Sequence, residues 1–159
     1  MSDTEKPKRG RPRLDGAPQG TRDGKLQSHV VELLVSAVPG MMTTRWRAKV
    51  REAFADTEEV REAEDEFWEY LTGFAYIPDG FVIDKEAMRL DFFEVEVTSL
   101  LTDTKLQAYA EFKTVMDFYG IEFSLFTVNQ HGHISEVFLL PHYLDWIRKN
   151  MNYGAVNED

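Results

Sequence analysis

The strongest constraint on the fold is a segment of two-residue alternation at residues 88–98. One face of this segment carries Asp91, Phe93, Val95 and Val97, and the other carries Phe92, Glu94, Glu96 and Thr98. Because successive side chains of a β-strand point to opposite faces, the pattern predicts a strand. The valines predict that one face of this strand packs into a core.

Helices and further strands are predicted around this segment. Helical spacing, N-cap residues and terminating glycines predict helices at about 26–38, 45–55, 57–71, 103–120 and 142–150. Stretches rich in aromatic and β-branched residues predict strands at about 73–83, 121–128 and 135–140. This order predicts an α/β fold with a small mixed β-sheet flanked by helices.

The chain divides into two parts at about residue 25. Residues 1–25 are rich in proline and glycine, and Leu14 is their only aliphatic side chain larger than alanine after Met1. We therefore predict a disordered arm at 1–25 and a single domain at 26–159. The arm has seven basic and four acidic residues and the rest has eleven and twenty-four, giving +3 and −13, which sum to −10. This asymmetry indicates a nucleic-acid partner.

The lack of cysteine and of long apolar runs excludes several classes of function. The chain has no cysteine, which excludes disulfides, thiolate metal sites and cysteine nucleophiles. It has no apolar run near the roughly 20 residues of a membrane-spanning helix, so no membrane partner is expected. With a polar N-terminus, these features favour a cytoplasmic location.

The basic arm contains a short motif at residues 6–13. Its central residues, Arg9-Gly10-Arg11-Pro12, resemble the core of an AT-hook. The glycine lets the backbone approach a groove floor, the proline favours an extended path, and the arginines suit a narrow A·T minor groove. The flanking residues expected on phosphates are Lys6, Lys8 and Arg13. The arm predicts A·T-rich DNA as a partner; the alternative is a solubilising or RNA-binding tail.

Acidic residues on two predicted strands form the candidate site. Asp79 follows Pro78, and Glu94 and Glu96 lie on one face of the next strand. Two like charges on one face repel each other unless a cation lies between them. Because Mg²⁺ is held by a few carboxylates with water and phosphate oxygens, Asp79 and Glu94 are candidate ligands to one ion. The alternative is that the glutamates lie on a solvated face of the sheet.

This pattern resembles the PD-(D/E)XK nuclease superfamily over about residues 60–140. The hallmark of that superfamily is Pro-Asp, a hairpin, (Asp/Glu)-X-Lys on the next strand and then a helix. The chain has Pro78-Asp79, Glu94-Val95-Glu96 and a helix from Thr102. The resemblance implies a restriction-endonuclease-like core and a DNA endonuclease that uses Mg²⁺ or Mn²⁺. The pairing of a hook-like arm with a small nuclease core suggests a phage or mobile-element origin, hence the host cytoplasm. Many relatives work as dimers, so a homodimer is one possible state.

The resemblance assigns further roles and departs from the family at one position. Glu96 stands where the family has lysine, and Lys105 on the following helix is the suggested replacement that orients water. An additional acidic ligand often comes from the preceding helix, where Glu66 is the candidate and Glu62 and Glu69 are equally allowed by spacing. The predicted catalytic residues are Asp79, Glu94, Glu96 and Lys105. The predicted metal ligands are Asp79, Glu94 and Glu66.

Other functions stay open at this point. If neither Glu96 nor Lys105 fills the role of the lysine, the chain is a catalytically inactive DNA-binding or regulatory protein on the same fold. The acidic body would also suit a phage inhibitor of a host protein. A basic cluster on the second predicted helix is interpreted as ion-paired with the acidic third helix rather than as a DNA contact, and it comprises Arg45, Arg47, Lys49 and Arg51.

Overall fold

The computed structural model describes residues 22–96 and 101–139. The elements, in chain order, are α1 (Arg22–Ala37), α2 (Trp46–Phe54), α3 (Glu58–Arg61), α4 (Glu64–Gly73), β1 (Gly80–Asp84), β2 (Arg89–Val95), α5 (Asp103–Phe118), β3 (Glu122–Val128) and β4 (Ile134–Glu136), with a 3₁₀ turn at Val137–Leu139. Four predicted features lie outside the described residues, namely the hook-like segment 6–13, Val97, Thr98 and the helix at 142–150. None of the helices described here is long and apolar enough to cross a membrane.

The four strands form one mixed sheet in the order β1-β2-β3-β4. β1 and β2 pair antiparallel through a tight turn, which sets Gly80 opposite Phe93. β2 and β3 pair in parallel, and α5 lies between them in sequence because a parallel pair requires a long crossover. β4 closes the sheet antiparallel to β3. The prediction of an α/β fold with a mixed sheet and flanking helices is confirmed.

Apolar side chains cover both faces of this sheet. The larger cluster lies under α2, α4 and α5 and is rich in aromatic rings, among them Trp46, Phe74, Phe92, Phe112 and Phe123. The smaller cluster joins Val30 and Leu34 of α1 to Phe93, Val95 and Val128 of the sheet. β2 is therefore buried on both sides, as expected for a strand at the centre of a mixed sheet.

The burial of β2 contradicts the interpretation that Glu94 and Glu96 both lie on a solvated face of the sheet. Glu94 is only 4% exposed, so it does not lie on a solvated face. Glu96 is partly exposed and follows the last residue of the strand. A nearly buried carboxylate needs hydrogen-bond partners, because an unpaired buried charge costs several kcal/mol.

The helix boundaries differ from the predicted ones at two places. α1 begins at Arg22, four residues earlier than expected. The predicted third helix is two helices, α3 and α4, because Ala63 has φ −142° and ψ 43°, which is not helical. Thr102 caps α5 as predicted, and its hydroxyl accepts a hydrogen bond from the Lys105 backbone N–H at 3.2 Å.

The first and last strands are shorter than predicted. Residues 74–79 are not strand, and among them Pro78 has no N–H to donate to a β-ladder. Pairing starts where the Asp79 N–H donates to the Phe93 carbonyl at 3.0 Å. The last predicted strand contains only Ile134–Glu136 before the 3₁₀ turn.

Candidate active site

Asp79 immediately precedes β1 and forms hydrogen bonds with Phe93 and Val95, the two residues that flank Glu94 on β2. Its backbone N–H donates to the carbonyl of Phe93, and its Oδ2 accepts a hydrogen bond from the N–H of Val95 at 2.8 Å. The register that pairs Gly80 with Phe93 sets Asp79 beside Glu94. Asp79, which immediately precedes β1, and Glu94 on β2 are therefore neighbours across the hairpin.

Glu94 is held by two side chains of α5. The Lys105 ammonium donates to Oε1 at 3.2 Å, and the Tyr109 hydroxyl donates a hydrogen bond to Oε2. Lys105 and Tyr109 are four residues apart, so they lie on the same face of the helix. Both carboxylate oxygens of Glu94 thus have a donor in an almost buried position.

Opposing effects act on the ionisation of Glu94. Burial raises the pKa of Glu94 above its ordinary value, and the negative charge of Asp79 raises it further. The hydrogen bond from Tyr109 and the charge of Lys105 act in the opposite direction on this pKa, but the net direction is upward.

Lys105 lies on α5 at the edge of the core and forms an ion pair with Glu94. Its side chain is 26% exposed, and its ammonium also lies 5.3 Å from the centre of the Tyr76 ring. An aromatic face attracts a cation at this range. The ammonium is therefore fixed between the Glu94 carboxylate and an aromatic ring at the border of the core.

Tyr109 is a site residue to which the sequence gave no role. It is fully buried, and burial together with the charge of Glu94 raises the pKa of its hydroxyl far above the ordinary value. The hydroxyl therefore stays protonated and acts as a donor to Glu94. Its spacing of one helical turn from Lys105 is the signal that could have identified it.

Glu96 follows the last residue of β2, and the charge of Lys105 acts on its carboxylate as it does on that of Glu94. Its backbone N–H donates to the Val128 carbonyl at 2.8 Å, which extends the pairing with β3 by one residue. Burial raises the pKa of Glu96, and a backbone hydrogen bond at Leu101 opposes this shift. No hydrogen bond among the described residues joins the Glu96 carboxylate to Asp79 or Glu94.

Glu66 does not join the predicted metal ligands. It is exposed on α4, and its charge contributes, after burial, to a raised pKa of Tyr119 at the far end of α5. Tyr119 is fourteen residues from Lys105, roughly 20 Å along a helix. Within 22–96 and 101–139, no three acidic or histidine residues are grouped as a metal site. The structure therefore places Glu66 near Tyr119 and not with Asp79 and Glu94.

The donor set that remains is two carboxylates. Mg²⁺ is often held by only one or two carboxylates, with waters and substrate phosphate completing its shell. Each carboxylate oxygen has two lone pairs, so the hydrogen bonds to Asp79 and Glu94 leave room for a further ligand interaction. The carboxylate oxygens of Asp79 and Glu94 are donors of the type that a hard divalent cation prefers.

A cleft opens against Asp79 on the side of α1. Its volume is about 560 Å³, and it lies between α1 and the loop that ends at Asp79. The Gln27 side-chain amide donates to Oδ1 of Asp79 at 3.2 Å across this cleft. The apolar pattern of residues 26–38 predicted how α1 packs but gave no sign that Gln27 reaches the site.

The basic cluster on α2 serves packing against α4. Arg51 is 3.3 Å from Glu64, which confirms the predicted ion pair for this residue. Arg47 donates to the carbonyls of Leu71 and Phe74 at 2.8 and 2.6 Å. These contacts satisfy carbonyls at the end of α4.

Comparisons of the chain with protein-family models, with curated proteins and with solved structures gave no match.

Proposed function

We propose that this protein is a metal-dependent DNA endonuclease that hydrolyses phosphodiester bonds. The observation that carries the proposal is the arrangement of Asp79, Glu94 and Lys105. Asp79 precedes one strand of a hairpin, Glu94 lies on the next, and the following helix supplies Lys105 at 3.2 Å from Glu94. This order of Pro-Asp, hairpin, acidic strand residue and helical lysine supports a PD-(D/E)XK-like nuclease with a displaced lysine.

The protein's own residues have separate roles in this proposal. The Val95 N–H orients Asp79, while Tyr109 and Lys105 orient Glu94. Fixed hydrogen bonds of this kind keep ligands in a productive geometry. Mg²⁺ or Mn²⁺, held by Asp79 and Glu94, would supply a Lewis acid that activates water and offsets negative charge on the phosphate. Lys105 would orient the attacking water or stabilise phosphate charge.

The arm would supply the affinity for DNA. The body has a formal charge of −13 outside residues 1–25, so it does not attract a polyanion by itself. The arginines of the hook-like segment would bind A·T-rich DNA in the minor groove and hold the site near the duplex.

Nicking of supercoiled plasmid DNA by the full chain tests the proposal. Activity is expected with Mg²⁺ or Mn²⁺ and not with EDTA. Asp79→Asn and Glu94→Gln are expected to lower the rate at least 100-fold, about 3 kcal/mol of barrier. Both substitutions keep a hydrogen-bond acceptor at the position, so circular dichroism should show an intact fold.

A matched control comes from the same strand. Asp91 is partly buried on the opposite face of β2 and is paired with Arg89 at 3.3 Å. Asp91→Asn removes a similar charge away from the site and should leave nicking within twofold of the wild type. A wild-type protein that binds DNA but never nicks it with either metal would reject the endonuclease.

A non-catalytic DNA-binding protein is the second candidate. Two observations favour it: Glu96 stands in place of lysine, and both oxygens of Glu94 are already engaged by Lys105 and Tyr109. This candidate predicts DNA binding that weakens with salt, without cleavage and without any effect of Asp79→Asn on affinity.

A further inference from the structure

The cleft beside Asp79 has walls of different chemistry. On α1 it is lined by Gln27, Ser28, Val31 and Glu32, which lie on one face of the helix. Opposite lie Thr43 and the loop residues Ile77, Pro78 and Asp79. Its volume of about 560 Å³ is within the roughly 300–1,000 Å³ of small-molecule sites. Because Asp79 belongs to both, a group bound in the cleft would lie next to the proposed catalytic pair.

The charges of this lining exclude phosphate as the occupant. Its two ionisable side chains are Glu32 and Asp79, and the lining contains no lysine, arginine or histidine. A phosphate group would be repelled here, whereas an uncharged group that donates hydrogen bonds would be accepted. The DNA backbone must therefore pass outside the cleft.

The apolar part of the lining suits a flat ring. Ile77 is 65% exposed, and Val31 and Pro78 adjoin the same space. A nucleobase has two apolar faces and an edge of hydrogen-bonding groups. Carboxylates accept hydrogen bonds from exocyclic amino groups, as they do from N4 of cytosine. Thymine has no such amino group.

We infer that the cleft between α1 and the Ile77–Asp79 loop binds an unpaired nucleobase with an exocyclic amino group, next to the scissile phosphate. This inference rests on the proposed function. A base inside a duplex is stacked on both faces and paired at its edge, so it enters such a cleft only when it is unstacked. The substrate class is then single-stranded or locally opened DNA.

Equilibrium binding of short oligonucleotides by the full chain in EDTA tests this inference without cleavage. We compare (dC)₆, (dT)₆ and an abasic hexamer with the same phosphates, by fluorescence anisotropy at one salt concentration. The wild type should bind (dC)₆ at least fivefold tighter than (dT)₆, the equivalent of about 1 kcal/mol, and tighter still than the abasic hexamer. Equal affinity for all three would overturn the inference.

Two substitutions in the cleft, with one control outside it, test whether the base binds in the cleft. Ile77→Ala should weaken (dC)₆ binding about fivefold or more, whereas Ile134→Ala removes the same side-chain atoms at an exposed position on β4, the opposite edge of the sheet from β1, and should change nothing. Neither substitution should change binding of the abasic hexamer. Glu32→Ala should abolish the preference for (dC)₆ over (dT)₆. Loss of affinity that is equal for Ile77→Ala and Ile134→Ala would assign base binding elsewhere.

The outcome is separable from that of the nuclease test. Base-dependent binding that needs Ile77, without nicking by any metal, would leave the cleft intact and reject the endonuclease. Metal-dependent nicking, together with oligonucleotide binding that depends neither on the base nor on Ile77, would support the endonuclease and reject base binding in the cleft.

Discussion

The ammonium of Lys105 on α5 lies 3.2 Å from Oε1 of Glu94 on β2, and the two side chains are exposed to solvent to different extents. The Glu94 side chain is 5% exposed and that of Lys105 is 26% exposed. Tyr109 donates to the second oxygen of the same carboxylate from one helical turn farther along α5. The central strand and the crossover helix are thus joined by a polar contact inside an aromatic core.

Removing Lys105 should destabilise the protein. Lys105→Met keeps most of the aliphatic side chain but leaves the buried Glu94 carboxylate without its charged donor. The free energy of unfolding should fall by about 2 kcal/mol at pH 7, as measured by urea denaturation. The control is Lys85→Met, because Lys85 pairs with Asp56 at a shorter 2.8 Å but is 51% exposed. If Lys85→Met were as damaging as Lys105→Met, burial would not decide the strength of these ion pairs.

Tyr109 and Tyr70 offer a matched pair of hydroxyl deletions in the same core. The Tyr109 hydroxyl donates to Glu94, whereas the buried Tyr70 hydroxyl has no hydrogen-bond partner among the described residues. Tyr109→Phe should lower the free energy of unfolding by about 1–3 kcal/mol, because it leaves a buried carboxylate oxygen unsatisfied. Tyr70→Phe should be neutral or stabilising. Thermal unfolding of both variants checks the contrast, and equal losses would contradict it.

The local part of the site could be predicted from the sequence. Alternation at residues 88–98 predicted the strand that carries Glu94, and Thr102 predicted the start of α5. Once that helix begins at Asp103, its 3.6-residue period puts Lys105 and Tyr109 on one face. Short-range patterns of this kind are encoded within a few residues and do not depend on the rest of the fold.

The non-local part could not be predicted. Gln27 and Asp79 are fifty-two residues apart, and their contact depends on how α1 packs over the smaller cluster. Glu66 had suitable helical spacing, but the break at Ala63 and the packing of α4 direct it towards Tyr119. Spacing within a helix gives relative directions only, whereas the choice of neighbour is made by tertiary packing.

The raised pKa of Glu94 predicts how stability changes with pH. The folded state holds the Glu94 proton more tightly than the unfolded state does, whose pKa is near the ordinary 4.5. This contribution to stability is complete below that ordinary pKa and is lost as the pH rises through the higher folded value. Unfolding of wild type and Glu94→Gln should be measured by urea from pH 4 to 8.

The difference between the two proteins is the readout of that experiment. The stability of the wild type relative to Glu94→Gln should decline above about pH 4.5 and become constant once Glu94 is ionised in both states. The constant offset between the curves reflects the lost contacts with Lys105 and Tyr109 and carries no information on the pKa. A relative stability that rises with pH would mean that the folded protein lowers the pKa of Glu94.

The arm should dominate the salt dependence of DNA binding. The logarithm of the binding constant falls with the logarithm of salt by about 0.9 per neutralised phosphate, so loss of two contacts reduces the slope by about 2. Arg9→Ala with Arg11→Ala should show this reduction and should also lose the preference for an A·T-rich duplex over a G·C-rich one. Fluorescence anisotropy between 50 and 200 mM salt, in EDTA, provides both measurements.

The control, Arg61→Ala with Lys85→Ala, removes the same charge from the body and should leave slope and preference unchanged. If it reduced the slope as much as the arm variant, DNA would contact the acidic body directly, and the division of labour between arm and body would be wrong.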